Sequence, residues 1–152
     1  MAIRRATQKA QVVTRLAANA PAGETFIACV HGETGPSPWL NAVFDEIPGL
    51  GLVIALTRSY YFFTLTTSSV VVNTANRFTN RPGEIVAVFP RAELPVTGYK
   101  RGKVWSRFFI QLPGHTRPTR INVRWYWRQE LDALAEAFPL AEPGGAVPAA
   151  AG

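Results

Sequence analysis

Residues 60–73 read YYFFTLTTSSVVVN, and this stretch indicates the fold class most clearly. Aromatic and β-branched side chains fill both of its halves, and these residue types are enriched in β-strands. A polar run, TTSS at 66–69, separates the two halves. The pattern therefore predicts a hairpin of two antiparallel strands over 60–66 and 70–73, and with it a mainly β fold.

Further strands are predicted on both sides of this hairpin, because other β-rich runs are bounded by Pro or Gly. Their predicted ranges are 25–31, 84–89, 95–99, 104–112 and 117–123. Between the first strand and the hairpin, Gly35, Pro36 and Pro38 predict a loop over 32–38. A short helical turn over 39–46 and a core strand over 50–56 complete the expectation for this region.

An amphipathic helix is predicted at the amino end of the chain. Its apolar stripe recurs at steps of three and four residues and consists of Ile3, Ala6, Ala10, Val13 and Ala17. Basic residues occupy much of the remaining surface, so the helix either docks on the sheet or lies on an anionic membrane. Docking is favoured, because most amphipathic helices of globular proteins pack on a neighbouring element.

A second amphipathic helix is predicted over 126–138. Its apolar face consists of Leu131, Leu134, Ala135 and Phe138, with Trp127 one turn earlier. The predicted organisation is a basic amphipathic helix in 1–22, a folded domain in 23–138 and a disordered tail in 139–152. The predicted fold class is mainly β (α+β), a bent antiparallel sheet or partly open small barrel capped by the carboxy-terminal helix.

The composition restricts the function classes. The chain has 152 residues, a net charge of +6 and a pI of about 10.1, which favours acidic partners electrostatically. A single cysteine, Cys29, excludes an internal disulfide and a multi-thiolate zinc site and favours a reducing compartment. No apolar run approaches the roughly 20 residues that a transmembrane helix needs. A cytoplasmic protein without a transmembrane segment is expected.

Residues 99–113, YKRGKVWSRFFIQLP, carry the strongest functional signal. On a strand, a mostly apolar set of side chains would alternate with a set that contains Trp, Arg and Phe. The first set is Val104, Ser106, Phe108, Ile110 and Leu112, and the second is Trp105, Arg107, Phe109 and Gln111. The first set suits a core, so the second is expected to form an exposed row beside a basic turn.

The next predicted strand adds to this row, because Arg120, Asn122 and Arg124 share one of its faces. The two strands together are expected to present a basic, partly aromatic patch. The candidate partner-binding residues are Arg77, Arg81, Lys100, Arg101, Lys103, Trp105, Arg107, Arg120 and Arg124.

Several interpretations of this patch stay open from the sequence. Cations beside aromatic rings contact acidic protein surfaces or anionic lipid headgroups, and they also bind single-stranded nucleic acid without sequence preference. In a purely structural interpretation, Trp105 and Phe109 pack beneath the closing helix and the cations are merely solvated. The leading hypothesis is a binding or assembly module for an acidic protein or an anionic lipid.

An enzyme that uses Cys29 and His31 is the second alternative, and the sequence disfavours it. Cys29 and His31 lie two apart and share a face of the first predicted strand, but no third group completes a nucleophilic triad. The glycines at 49–51 lack the Lys and Ser/Thr of a phosphate-binding loop. No metal or cofactor site is expected either, because the chain has only two histidines and one cysteine.

Several stretches, taken in order, resemble the bacterial pleckstrin-homology-like domains of the small single-domain kind common in actinobacteria. They are GETFIACVHGETGPSPWL, YYFFTLTTSSVVV, NRFTNRPGEIV, VFPRAELPV, YKRGKVWSRFFIQLPG and RINVRWYWRQELDALAEAF. Together they cover about 23–138, and the first helix and the tail lie outside the resemblance.

The resemblance implies a strongly bent antiparallel sheet capped by the carboxy-terminal helix, and a binding or assembly module rather than an enzyme. It also implies a capacity to form homo-oligomers, since some members resemble ring-forming assemblies. The hairpin turn at 66–69 departs from the family, whose members often carry an acidic residue followed by Arg there. Any basic site is therefore expected at the candidate residues named above, and membrane attachment, if present, at the inner membrane face.

Overall fold

Seven strands form one antiparallel sheet in the computed structural model of this chain, which describes residues 2–18, 23–35 and 56–139. The strands are β1 (Phe26–Thr34), β2 (Tyr60–Thr66), β3 (Ser69–Ala75), β4 (Pro82–Pro90), β5 (Val96–Lys100), β6 (Trp105–Ile110) and β7 (Thr119–Arg124). Their order across the sheet is β4-β3-β2-β1-β7-β6-β5, so β4 and β5 are its two edges. The mainly β prediction is confirmed, and the sheet is open rather than a closed barrel.

Among the described residues, the sheet is accompanied by α1 (Ala2–Ala17) at the amino end and α2 (Arg128–Ala135) at the carboxyl end. One 3-10 turn, Arg91–Glu93, follows β4, and another, Trp125–Trp127, connects β7 to α2. No helix within the described ranges has both the length and the hydropathy needed to cross a bilayer. The predictions for the turn over 39–46, the strand over 50–56 and the tail concern residues outside the described ones, apart from Leu56 and Pro139.

A two-pair seam joins the two halves of the sheet. The strands β1 to β4 form one meander and β5 to β7 form another, because each strand pairs with the next along the chain. The halves meet where Glu33 pairs with Asn122 and Thr34 with Ile121. Strand β1 is therefore the shared element of the sheet.

The prediction that residue 32 begins a loop is wrong, since β1 continues through Gly32 to Thr34. Gly32 is buried, and a Cβ atom at this position would lie 2.3 Å from Cγ2 of Ile121. The missing side chain thus allows β7 to approach β1 closely at the seam. A glycine that reads as a loop signal in the sequence here serves close strand packing.

One face of the sheet carries the main core. Val30, Phe63 and Phe108 are almost completely buried there, and the rings of Phe63 and Phe108 meet edge to face at 5.1 Å. From α2, Leu131 and Leu134 pack into the same cluster. The predicted apolar face of the carboxy-terminal helix is therefore confirmed at these two positions.

The opposite face of β1 and β2 is covered by α1. Val12 and Leu16 are buried against Cys29 and Phe62. The apolar stripe predicted for this helix is wrong, because Ala6, Ala10 and Ala17, all members of that stripe, are exposed. Larger side chains one position away bury more apolar area, and they decide which face docks.

Polar contacts fix α1 as well. Arg5 donates a hydrogen bond to the carbonyl oxygen of Tyr126, and Lys9 forms an ion pair with Glu130 of α2. Arg15 donates to the carbonyl oxygen of Pro82 at 2.9 Å. Three basic residues of α1 are thereby engaged with this chain, which supports docking of the helix over attachment to a membrane.

Candidate functional site

Strand β6 alternates between two environments along its length. Ser106, Phe108 and Ile110 are buried, whereas Trp105, Arg107 and Phe109 are half-buried on the other face. The period of two that the sequence predicted for this strand is therefore confirmed. Val104 was predicted to point inward, and this is wrong: the strand begins at Trp105, and Val104 is 60 % exposed.

The register between β6 and β7 brings the candidate residues of both strands together. Trp105 lies opposite Arg124, Arg107 opposite Asn122, and Phe109 opposite Arg120. On the other side of β6, Lys100 of β5 lies opposite Arg107. Directly paired residues share a face of a sheet, so these side chains form one surface. We call it the basic–aromatic surface, and its members are Lys100, Trp105, Arg107, Phe109, Arg120 and Arg124.

The aromatic rings of this surface lie beside its cations. The guanidinium of Arg124 is 5.1 Å from the ring centroid of Trp105, within the range of a cation–π interaction. Neither Trp105 nor Phe109 belongs to the core cluster that α2 packs against. Both rings remain half-buried, and they are accessible from the same side as the guanidinium groups.

Like charges face one another across the strands. Lys100 and Arg107 are direct cross-strand neighbours, an arrangement that destabilises a sheet. Burial lowers the pKa of Arg120, and the positive charge of Arg107 lowers it further. The Nε atom of Arg120 donates to Oδ1 of Asn122 at 3.0 Å. The surface therefore concentrates positive charge at a cost to the fold.

Carboxylates in the part of the chain that the structure describes form no ion pair with this surface, although the charge of Glu33 acts on Arg124. There, no Asp or Glu lies within ion-pair distance of the four cations Lys100, Arg107, Arg120 and Arg124. The adjacent acidic residue on β1, Glu33, forms its ion pair with Arg58 at 3.4 Å. Burial raises the pKa of Glu33, and the charges of Arg58 and Arg124 oppose that rise.

The basic turn between β5 and β6 is held against α2. Arg101 forms a two-pronged contact with Asp132, with N–O distances of 2.7 and 2.9 Å. These hydrogen bonds hold the pKa of Asp132 below its usual value. Arg128 donates to the carbonyl oxygens of Gly102, at 3.0 Å, and of Lys103. Arg101 thus contacts this chain, while Lys103 keeps an exposed side chain.

Gly102 is essential to the shape of this turn. A Cβ atom here would lie 1.9 Å from the carbonyl oxygen of Trp105, a backbone atom that no rotamer change can move. We expect Gly102→Ala to lower the free energy of unfolding by about 2 kcal/mol through overpacking. Urea denaturation followed by circular dichroism measures this change.

Gly114→Ala is the matched control for that variant. Gly114 has a φ of +79°, and a Cβ atom added there would meet nothing within 4 Å, so its cost is conformational only. We expect Gly114→Ala to lower the free energy of unfolding by about 1 kcal/mol. A loss for Gly102→Ala no larger than for Gly114→Ala would contradict the steric argument.

Arg77 and Arg81 lie elsewhere, in the connection between β3 and β4 on the other half of the sheet. Arg77 donates to the carbonyl oxygens of Leu56 and Arg58, at 2.6 and 3.0 Å. Arg81 lines a groove of about 510 Å³ between α1 and the start of β4, together with Gln11 and Arg15. The structure does not bring these two arginines together with the basic–aromatic surface.

Sequence reasoning missed Trp125. This residue is 59 % exposed, and its ring meets that of Tyr126 edge to face at 5.8 Å. Trp125 and Val104 both lie directly beyond the Trp105–Arg124 pair, at the same end of β6 and β7. Val104 and Trp125 lie beside Lys103 and Arg124, and we call these two exposed apolar residues the exposed apolar tip. No local pattern indicated this, since the end of β7 decides where Trp125 lies.

Cys29 and His31 lie in a buried environment that disfavours the charged forms of both side chains. Cys29 is 3 % exposed, and burial raises the pKa of its thiol to about 11. Burial lowers the pKa of His31 to about 4, and the charge of Arg124 lowers it further. Both shifts oppose a thiolate–imidazolium pair. Among the residues that the structure describes, no cluster of three or more His, Cys, Asp or Glu could hold a metal ion.

No protein-family model matches this chain, and no curated protein matches its sequence.

Proposed function

We propose that this protein is a non-enzymatic binding module with a pleckstrin-homology-like fold, and that it contacts anionic lipid headgroups through the basic–aromatic surface. One observation carries the proposal. Four cations share one sheet face without an ion pair to a carboxylate among the described residues, and two of them, Lys100 and Arg107, directly oppose each other. Local rules are broken in this way mainly at functional sites.

The exposed apolar tip favours a lipid surface over an acidic protein. Val104 and Trp125 are 60 % and 59 % exposed, and they lie beside Lys103 and Arg124. Aromatic and apolar side chains flanked by cations are typical of groups that enter the interface of an anionic membrane. The proposed location is cytoplasmic, at the inner membrane face.

Sequence-tolerant nucleic-acid binding is the second candidate function. The half-buried rings of Trp105 and Phe109 alternate with Arg107 along β6, which provides stacking surfaces between cations. This function predicts a steep loss of affinity with salt for any oligonucleotide sequence.

Flotation of the full chain with vesicles tests the proposal. We expect flotation with vesicles that contain about one third phosphatidylserine, and none with pure phosphatidylcholine, at 0.15 M salt. Parallel titrations with a poly-glutamate peptide and a dT20 oligonucleotide identify the other partners. If the protein binds only the peptide, the partner is an acidic protein rather than a lipid, and if it binds only the oligonucleotide, the partner is a nucleic acid. Binding to none of the three refutes the proposed function.

A further inference from the structure

Three arginines of the basic–aromatic surface surround one short, buried side chain, that of Asn122. Arg107 of β6 lies opposite Asn122, whereas Arg120 and Arg124 each lie two residues from it on β7. These positions are direct and diagonal neighbours on one sheet face, a separation that long side chains can span. Asn122 is 2 % exposed, so its amide forms the floor between the three guanidinium groups. We call Arg107, Arg120 and Arg124 the arginine triad.

This floor also positions one member of the triad. The Nε atom of Arg120 donates to Oδ1 of Asn122 at 3.0 Å, and Nδ2 of Asn122 donates to the carbonyl oxygen of Gly35 at 3.4 Å. The terminal amino groups of Arg120 donate to no residue that the structure describes. Arg120 is therefore held at one nitrogen and keeps its outer donors for a ligand. Donors that are already in position bind an anion at a lower entropic cost.

Neighbouring arginines outside the triad use their donors within this chain. Arg101 donates to Asp132, and Arg128 donates to two backbone carbonyl oxygens. By contrast, the guanidinium groups of Arg107 and Arg124 donate no hydrogen bond to any residue within the described ranges. Guanidinium groups that converge without acceptors favour an anion from outside the chain.

One carboxylate lies on the remaining side of Asn122, and it already has a partner. Glu33 pairs with Asn122 across the seam, is 6 % exposed and forms its ion pair with Arg58 at 3.4 Å. The charge of Glu33 acts on Arg124 without an ion pair between them. Glu33 and Arg58 offset each other, so the triad keeps its excess of positive charge.

The chemistry of the triad distinguishes between anionic headgroups. A guanidinium group binds a phosphate through two parallel N–H donors. A phosphomonoester offers three terminal oxygens and a charge of about −1.5 to −2 at pH 7, whereas a phosphodiester offers two such oxygens and a single charge. We infer that the arginine triad binds the phosphomonoester group of a lipid headgroup. This inference rests on the proposed function and adds the chemistry of the headgroup to it.

The exposed apolar tip favours a lipid over a soluble phosphomonoester. Val104 and Trp125 are 60 % and 59 % exposed, and they lie directly beyond the Trp105–Arg124 pair. A phosphate bound at Arg124 therefore lies beside apolar side chains. A lipid supplies a phosphate and an apolar region together, whereas a soluble phosphomonoester would leave the tip in water.

Vesicles of two compositions test the inference on the full chain. One kind contains phosphatidic acid, a phosphomonoester, and the other contains phosphatidylglycerol, a phosphodiester, with their zeta potentials matched at about 0.15 M salt. We expect the wild type to bind the phosphatidic acid vesicles at least about tenfold more tightly. Arg107→Lys and Arg120→Lys keep the charge but lose the two-pronged donor, so each variant should bind both kinds of vesicle alike.

Arg91→Lys is the matched control for these two variants. Arg91 is also half-buried, but it follows β4 at the other edge of the sheet, so its replacement should preserve the preference for phosphatidic acid. Equal affinity of the wild type for both vesicles, or a preference that persists in both triad variants, would overturn the inference and leave the proposed function intact. A chain that floats with neither vesicle refutes the proposed function itself.

Two soluble probes identify other sources of the same phosphate group. Glycerol 3-phosphate represents a free metabolite, and a phosphoserine peptide represents a phosphorylated protein. We expect both to bind more weakly than the phosphatidic acid vesicles, because neither contacts the exposed apolar tip. If either probe binds more tightly than these vesicles, the ligand is not a lipid and the inference is overturned.

Discussion

The double variant Lys100→Glu/Arg107→Glu is expected to lose binding to anionic vesicles while it stays folded. These two residues are direct cross-strand neighbours at the centre of the basic–aromatic surface. Each basic residue near an anionic membrane contributes about 1 kcal/mol to binding. Reversing both charges replaces two attractions to the membrane by two repulsions, which weakens the binding free energy by about 4 kcal/mol. Screening reduces this figure, and we expect affinity to fall about a hundredfold or more at 0.15 M salt.

The matched control for this variant is Arg4→Glu/Arg91→Glu, which changes the net charge by the same amount away from the surface. Arg4 is an exposed residue of α1, and Arg91 belongs to the 3-10 turn after β4. If net charge alone governs binding, both double variants lose affinity equally, and the assignment of the site fails. Thermal unfolding of each variant verifies that the fold is retained.

Acidification is expected to destabilise the fold through His31. Its imidazole is packed among the rings of Tyr60, Phe62 and Trp127, and burial lowers its pKa from 6.5 to about 4. Because the unfolded chain binds this proton more readily, the stabilising contribution is complete above pH 6.5 and is lost as the pH falls towards 4. The loss from this residue amounts to about 3 kcal/mol.

Urea denaturation between pH 7.5 and 4 measures that loss. In His31→Phe, the decline in the free energy of unfolding should be smaller by about 3 kcal/mol, because the ring no longer titrates. His115→Phe is the control, because it replaces an exposed histidine that lies outside these packed rings. Equal declines in wild type and His31→Phe would contradict the assignment.

Local patterns sufficed to predict the strands, because alternation and Pro or Gly boundaries act over a few residues. They failed at Gly32, where the need for close contact with Ile121 arises from a strand far along the chain. They also failed for α1, whose docked face depends on Cys29, Phe62 and on Glu130, which is 121 residues from Lys9. Such long-range contacts leave no periodic signal in the sequence.

The candidate surface was predictable to the same extent. The period of two along β6 predicted that Trp105, Arg107 and Phe109 share a face, and the structure has them so. Grouping Arg77 and Arg81 with them required knowledge of the strand order, which separates the two halves of the sheet. Likewise, the contact of Arg101 with Asp132 depends on where α2 lies.

The seam between β1 and β7 has a consequence for how fast this chain folds. Within each meander, consecutive strands close loops of two to eight residues at low entropic cost, except for β1 and β2, which are joined by the 25 residues 35–59. The pairs Glu33–Asn122 and Thr34–Ile121 instead join residues separated by most of the chain. The two meanders can therefore form early, and we expect their union at Gly32, Asn122 and Ile121 to limit the folding rate. Substitutions at these three positions should slow folding more than they accelerate unfolding.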